Sequence, residues 1–138
     1  ILTVETSGIA IAMGAAAAMH LPVVFAKKYK TGNLSGDMYT TVVHSYTHGV
    51  DYNIVVSSEF LDKDDKVLII DDFLANGKAL CGLIDIVGQA GASLAGCSCA
   101  IEKGFQGGGD ALRKRGIRVE SLAIVESMSD DSLTFRSM

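Results

Sequence analysis

Residues 67–80 read Val-Leu-Ile-Ile-Asp-Asp-Phe-Leu-Ala-Asn-Gly-Lys-Ala-Leu. An apolar run meets two adjacent carboxylates, Asp71 and Asp72, and a turn of small residues follows. Two like charges side by side at the end of a buried run raise at least one pKa or require a cation or hydroxyl partner. The turn Ala75-Asn76-Gly77-Lys78-Ala79 then leads into a helix-like segment. Backbone N–H groups at a helix start are unpaired and carry partial positive charge, which suits an anion and above all a phosphate. Ala and Gly let that backbone come close. Carboxylates for a diol and amides for a phosphate together describe a site for a ribose 5-phosphate. A P-loop of the G-x-x-x-x-G-K-[ST] kind is excluded, because Asp72 stands at its first glycine and Ala79 at its metal-binding hydroxyl.

The elements that must position these residues follow from the hydrophobic pattern. Ile1–Val4 reads as a short buried strand, followed by the turn Glu5-Thr6-Ser7-Gly8 and a helix over Ile9–Met19. Val23–Ala26 is a second strand, closed by the cluster Lys27, Lys28 and Lys30. Residues 31–38 are polar and glycine-bearing, which is loop chemistry. Tyr39–Tyr46 and Asn53–Ser58 are β-rich runs with a hairpin-like connection. Val67–Ile70 lacks polar alternation, as expected of a strand covered on both faces. Leu80, Leu83, Ile84 and Val87 fall at i, i+3, i+4 and i+7, an amphipathic helix that Gly91 ends. Leu94–Ile101 is a further strand, Asp110–Arg115 a short helix and Val119–Val125 a last strand.

Alternating strands and helices predict one α/β domain over residues 1–138 with a mainly parallel, twisted central sheet flanked by helices and a hairpin-like excursion. In such sheets ligands gather at the carboxyl ends of the strands. Three segments land there: Glu5–Gly8, Asp71–Ala79 and Glu102–Phe105.

Composition narrows the function classes. The chain of 138 residues is 49% hydrophobic and 20% charged, with a net charge of −4. That balance argues against a general nucleic-acid binder, which carries basic faces. Gly8–Met19 is too short to span a bilayer, so no membrane role is expected. Cys81, Cys97 and Cys99 are an odd, sparse set without C-x-x-C, which fits a reducing cytosol and neither a disulfide framework nor a zinc site. His44 and His48 have a metal spacing only on a helix, and this region reads as strand and turn, so no protein-held metal is expected. His20 is placed at a helix end, where its cationic form is mildly favoured.

Residues 67–80 resemble the phosphoribosyl-pyrophosphate (PRPP) signature of the type I phosphoribosyltransferases. The stretches TVETSGIA, PVVFAKKYK, QAGASLAG, IEKGFQ and RVESLAIVES extend the likeness along nearly the whole chain to the bacterial xanthine branch of that family. The resemblance implies conversion of xanthine and PRPP to xanthosine 5′-monophosphate and pyrophosphate, with Mg²⁺ bound together with PRPP. It implies catalytic roles for Asp71 and Asp72 at the ribose hydroxyls, and 5-phosphate binding by Ala75, Asn76, Gly77, Lys78 and Ala79. Glu5, Thr6, Ser7 and Gly8 match the pyrophosphate loop, with Lys28 or Lys27 adding positive charge. Ser45 and Tyr46 fall in the hood region, while Lys103 and Phe105 match the positions that bind the purine. A cytoplasmic homodimer is also implied. Two alternatives stand beside this: a non-catalytic PRPP-sensing purine regulator, or a hypoxanthine- or guanine-preferring enzyme.

Three departures from the family pattern bear on those expectations. Ala75 occupies the position where hypoxanthine–guanine relatives carry an aspartate, leaving the proton acceptor unassigned. Gly107-Gly108-Gly109 replaces a Pro-Gly turn and is expected to loosen the loop after Phe105. The chain opens inside a strand-like run without methionine, so an upstream segment that completes the hood in relatives is expected to be missing.

Overall fold

The computed structural model describes residues 1–29, 36–45 and 50–137. The chain builds one eight-stranded sheet from β1 (Leu2–Val4), β2 (Val24–Tyr29), β3 (Met38–Ser45), β4 (Val50–Ser57), β5 (Lys66–Leu74), β6 (Ser93–Lys103), β7 (Val119–Met128) and β8 (Leu133–Phe135). Three helices join it: α1 (Gly8–Met19), α2 (Lys78–Gln89) and α3 (Gly108–Lys114). The strand order is β3-β4-β2-β1-β5-β6-β7-β8. β2, β1, β5, β6 and β7 run parallel, the β3–β4 hairpin adds antiparallel to β2, and β8 closes the other edge antiparallel to β7.

This order places the site. The crossover through α1 leads from β1 towards one edge, and the crossover through α2 leads from β5 towards the other. Right-handed crossovers in opposite directions set the two helices on opposite faces and leave a crevice between the carboxyl ends of β1 and β5. The core beneath it is apolar: Leu2, Ile69, Leu74, Leu80, Leu83, Ile86 and Leu112 are almost fully buried. In α2 Leu80, Leu83 and Val87 of the stripe read from the sequence are buried, whereas Ile84 is only partly buried and Ile86 takes a core position instead. α1 buries only Gly8, Ala12 and Ala16, a four-residue spacing of small side chains. His20 ends it in the left-handed conformation, its N–H donating to the Ala16 carbonyl.

The strands run longer than the apolar pattern suggests. β5 continues through Asp71 and Asp72 to Leu74 because β6 supplies a ladder partner that far, with Phe73 opposite Ile101 and Leu74 opposite Glu102. The acid pair therefore sits inside the end of its strand. Lys27 and Lys28 belong to β2, and β8 is an element the sequence reading lacks. Lys30, Tyr46 and His48 lie outside the described residues. Cys97 and Cys99 are buried on β6, and burial pushes the Cys97 thiol up to about 11.

Candidate active site

β5 delivers the two acids into different surroundings. Asp71 is 5% exposed, and its Oδ1 accepts a hydrogen bond from the Asp72 N–H at 3.0 Å. Burial pushes its carboxyl up to about 7, with the Asp72 carboxylate adding to the rise and Lys28 opposing it. Asp72 is only half-buried. Burial raises its pKa, but the net shift is downward, because the Ser7 hydroxyl and the Asp71 carboxyl both hydrogen-bond to it. At neutral pH the pair is therefore an ionised Asp72 beside a half-protonated Asp71. That is how two adjacent carboxylates coexist in a partly desolvated place.

The segment after β1 closes over this pair. The Glu5 N–H donates to the Ala26 carbonyl at 3.0 Å, and Glu5 Oε1 accepts from the Lys28 N–H at 2.5 Å. The Glu5–Thr6 peptide is cis. Gly8 stands against the acids: a Cβ there would lie 2.7 Å from Asp71 Oδ1 and would also strike Thr3 Oγ1. Gly8 is thus dictated by close approach of the α1 start to β5. Lys28 Nζ sits 5.3 Å from the centre of the Tyr52 ring, within cation–π reach. Lys27, one residue earlier, points to the opposite face of β2 and lines a separate apolar cleft of about 390 Å³ with Phe25, Met38 and Phe60. That cleft contains none of the acid or loop residues described here.

Beyond Leu74, Ala75–Gly77 turns into α2. Gly77 takes φ 80°, a left-handed conformation that favours glycine, and no side chain caps the helix. Asn76 Oδ1 accepts from the Lys78 N–H at 3.1 Å, which holds the turn open at the helix start. Lys78 and Ala79 are the first helical residues. The turn is braced from the other side by α3, where the Gly108 N–H donates to the Ala75 carbonyl at 3.1 Å. A Cβ on Gly108 would fall 2.5 Å from both the Asn76 carbonyl carbon and the Gly77 nitrogen. Gly108 thus fixes the loop that follows Phe105 against the Ala75–Gly77 turn, where a loosened segment was expected.

Lys103 ends β6, and Phe105 stands exposed on the 3-10 turn Gly104–Gln106. Lys103 Nζ lies 5.4 Å from the centre of the Phe73 ring, which brings this segment to the acid strand. Glu102 has a different task from its neighbours. Fully buried, it receives Arg113 through two contacts of 2.8 and 2.6 Å and the Ser121 hydroxyl at 2.5 Å. The Arg113 hydrogen bonds hold its carboxyl below the usual carboxylate range. This pairing ties α3 to β6 and β7, directly behind Lys103. His44 makes a 2.5 Å contact with Asp51 across the hairpin.

Sequence reasoning placed the acids, the three segments and Lys103 at one edge, and the structure brings them together there. It missed Phe73, Tyr52, Thr3 and the Glu102–Arg113 lock. Phe73 carried a signal, as an aromatic residue inside the acid motif. The others are partners across long sequence separations, which no local pattern reveals.

This fold and crevice define the class. The phosphoribosyl transferase domain family matches residues 1–129, and the chain belongs to that family. The chain is 56% identical over 139 residues to a xanthine phosphoribosyltransferase of Bifidobacterium longum, covering 99% of this chain and 72% of that protein. It is 53% identical over 138 residues to the xanthine phosphoribosyltransferase of Lachnoclostridium phytofermentans, covering 99% and 71%. Among solved structures, the adenine phosphoribosyltransferase of Giardia lamblia with 9-deazaadenine superposes with a TM-score of 0.78 at 23% identity, over 92% of this chain and 69% of that one. The Trypanosoma brucei adenine enzyme gives 0.76 at 20% identity, over 94% and 57%. The fold is that of the type I phosphoribosyltransferases, and the chain is a phosphoribosyl-transferring enzyme. No described helix is long and apolar enough to cross a membrane.

Proposed function

We propose that the protein is a purine-salvage transferase that makes xanthosine 5′-monophosphate and pyrophosphate from xanthine and PRPP. The observation that carries this reading is the likeness, above 50% identity over nearly the whole chain, to proteins named for that activity. The site geometry supports it with a chemical division of labour. Asp71 and Asp72 hold the ribose 2- and 3-hydroxyls, and Ala75–Ala79 receive the 5-phosphate at the start of α2. Glu5–Gly8 face the diphosphate, and Lys28 contributes positive charge there.

As the bond at C1 loosens, positive charge grows on the sugar and negative charge on the leaving diphosphate. Catalysis is then mainly positioning and electrostatic stabilisation. The ionised Asp72 lies on the sugar side, and the cation of Lys28 and the backbone of residues 5–8 lie on the leaving-group side. Mg²⁺ bound with PRPP would neutralise the diphosphate. Glu5 and Ser7 would offer it a carboxylate and a hydroxyl. Lys103 donates to the purine 6-oxo group, selecting oxopurines against adenine, and Phe105 stacks on the base. The enzyme works as a cytoplasmic homodimer.

The deciding measurement is pyrophosphate release with Mg²⁺ and PRPP across xanthine, guanine, hypoxanthine and adenine. Xanthine is expected to give the highest kcat/KM. PRPP binding with no turnover of any base would overturn the enzyme reading in favour of a PRPP-responsive regulator.

A further inference from the structure

Thr3 lies in the middle of β1, is 0% exposed, and carries the buried side-chain oxygen without a hydrogen-bond partner among the described residues. An unpartnered hydroxyl at such depth is costly, and where one persists it calls for a reason. Its surroundings suggest one. Thr3 Oγ1 and Asp71 Oδ1 crowd the same point, the position a Cβ on Gly8 would occupy, so hydroxyl and carboxyl are neighbours under the first residue of α1.

The remaining groups around Asp71 are committed elsewhere or act at longer range. Asp72 gives its N–H to Oδ1 and shares a side-chain hydrogen bond with it. Lys28 from β2 acts on Asp71 through its charge while lying over the Tyr52 ring. Tyr52 from β4 and Cys99 from β6 also feel the Asp71 charge. Ser7, at the α1 start, is bonded to Asp72. Thr3 is the neighbour with a free O–H.

We propose that Thr3 is a positioning residue for Asp71, the two side chains closing on each other so that the Thr3 hydroxyl donates to the Asp71 carboxylate when a ribose diol engages the acid pair. The inference rests on the ribose-phosphate reading of this site. Without ligand, Thr3 Oγ1 makes no hydrogen bond, although it and Asp71 Oδ1 face the same point beneath Gly8. Diol hydroxyls donate to both acids and favour their ionised forms. Asp71 then gives its proton to the buffer, and its buried carboxylate draws in the neighbouring Thr3 hydroxyl as a further donor. The unsatisfied hydroxyl of the empty site becomes a satisfied one in the complex.

The test compares Thr3→Val, which keeps the shape and removes the hydroxyl, with Thr3→Ser, which keeps the hydroxyl. Ribose 5-phosphate is the probe, titrated by calorimetry at pH 7 in two buffers of different ionisation enthalpy. Wild type is expected to release protons on binding. T3V is expected to bind about tenfold more weakly, the loss of one hydrogen bond to a charge, and to release fewer protons. Its urea midpoint should be equal to or above that of wild type, because an apolar isostere removes an unpaired buried hydroxyl. T3S should restore both affinity and proton release. T3V with wild-type affinity and proton release, or T3S as impaired as T3V, overturns the proposal. The pyrophosphate-release assay of wild type is separate: its failure would sink the transferase reading while ribose 5-phosphate titration still decides the role of Thr3.

Discussion

The Ser7 hydroxyl lowers the pKa of the Asp72 carboxyl and does not cap α1, although Ser7 occupies that helix's N-cap position. A serine there ordinarily satisfies one of the first-turn N–H groups. Here the hydroxyl acts instead on the acid strand, which favours the ionised form of Asp72. Two of the three site segments are coupled by it, and the helix start keeps its backbone donors for another partner.

Ser7→Ala is therefore expected to impair the chemistry and to lower stability only through Asp72. No cap is lost from α1, so any fall in the urea midpoint should be present at neutral pH and shrink as pH falls through the Asp72 titration. A hydrogen bond to a charged acceptor contributes about 1.5–3 kcal/mol, so kcat/KM for PRPP should fall by about ten- to a hundredfold. Steady-state kinetics and a denaturation curve on the same preparation check both parts.

Asp71 gives the unliganded protein an unusual pH dependence. Its carboxyl rises from an ordinary 3.8 to about 7, so between those values the folded state binds a proton that the unfolded state has lost. Stability from this group is fully present below pH 4, declines as pH rises through the window, and is gone above about pH 7. Asp71→Asn removes the titration and keeps the shape. It should stabilise the protein by about 2–4 kcal/mol at pH 8 and by little at pH 4, as read from urea unfolding at the two values. The same variant should lose PRPP use.

Gly108→Ala tests the brace behind the phosphate turn. The added methyl would meet backbone atoms of Asn76 and Gly77 at 2.5 Å, and backbone cannot rotate away as a side chain can. Forced repacking of this kind costs about 1–3 kcal/mol. If the Ala75–Ala79 turn receives the 5-phosphate as proposed, the strain falls on it and KM for PRPP should rise at least tenfold, with the xanthine KM affected less. Unfolding free energies together with both KM values decide it.

How much of this was legible beforehand depends on sequence distance. The acid pair, the turn at residues 75–79 and the stripe on α2 are local patterns, and they were readable because period and residue type suffice. β5 and β6 were read too short: Asp71, Asp72 and Glu102 break the apolar run while still laddering between neighbouring strands. Gly108 looked like slack because its use lies in a contact with Ala75, some thirty residues away in the chain, and Gly109 because it stands against Glu102. Glu102 looked like part of a binding segment, and only the approach of Arg113 and Ser121 shows it to be an anchor.

Lys103 provides the sharpest test of substrate choice. It extends from the end of β6 over the Phe73 ring, held there by a backbone that the Glu102–Arg113 pair secures one residue earlier. An ammonium so placed donates and never accepts, so it favours a 6-oxo group and disfavours the 6-amino group of adenine. Lys103→Met retains the aliphatic stem and removes the donor, leaving the Glu102 anchor untouched. The expected outcome is a tenfold or greater fall in kcat/KM for xanthine, with the adenine rate unchanged or raised, so that the ratio between them narrows. Parallel assays of the two bases at saturating PRPP measure that ratio. An unchanged preference would remove Lys103 from the purine site and leave the cation with a packing role over Phe73.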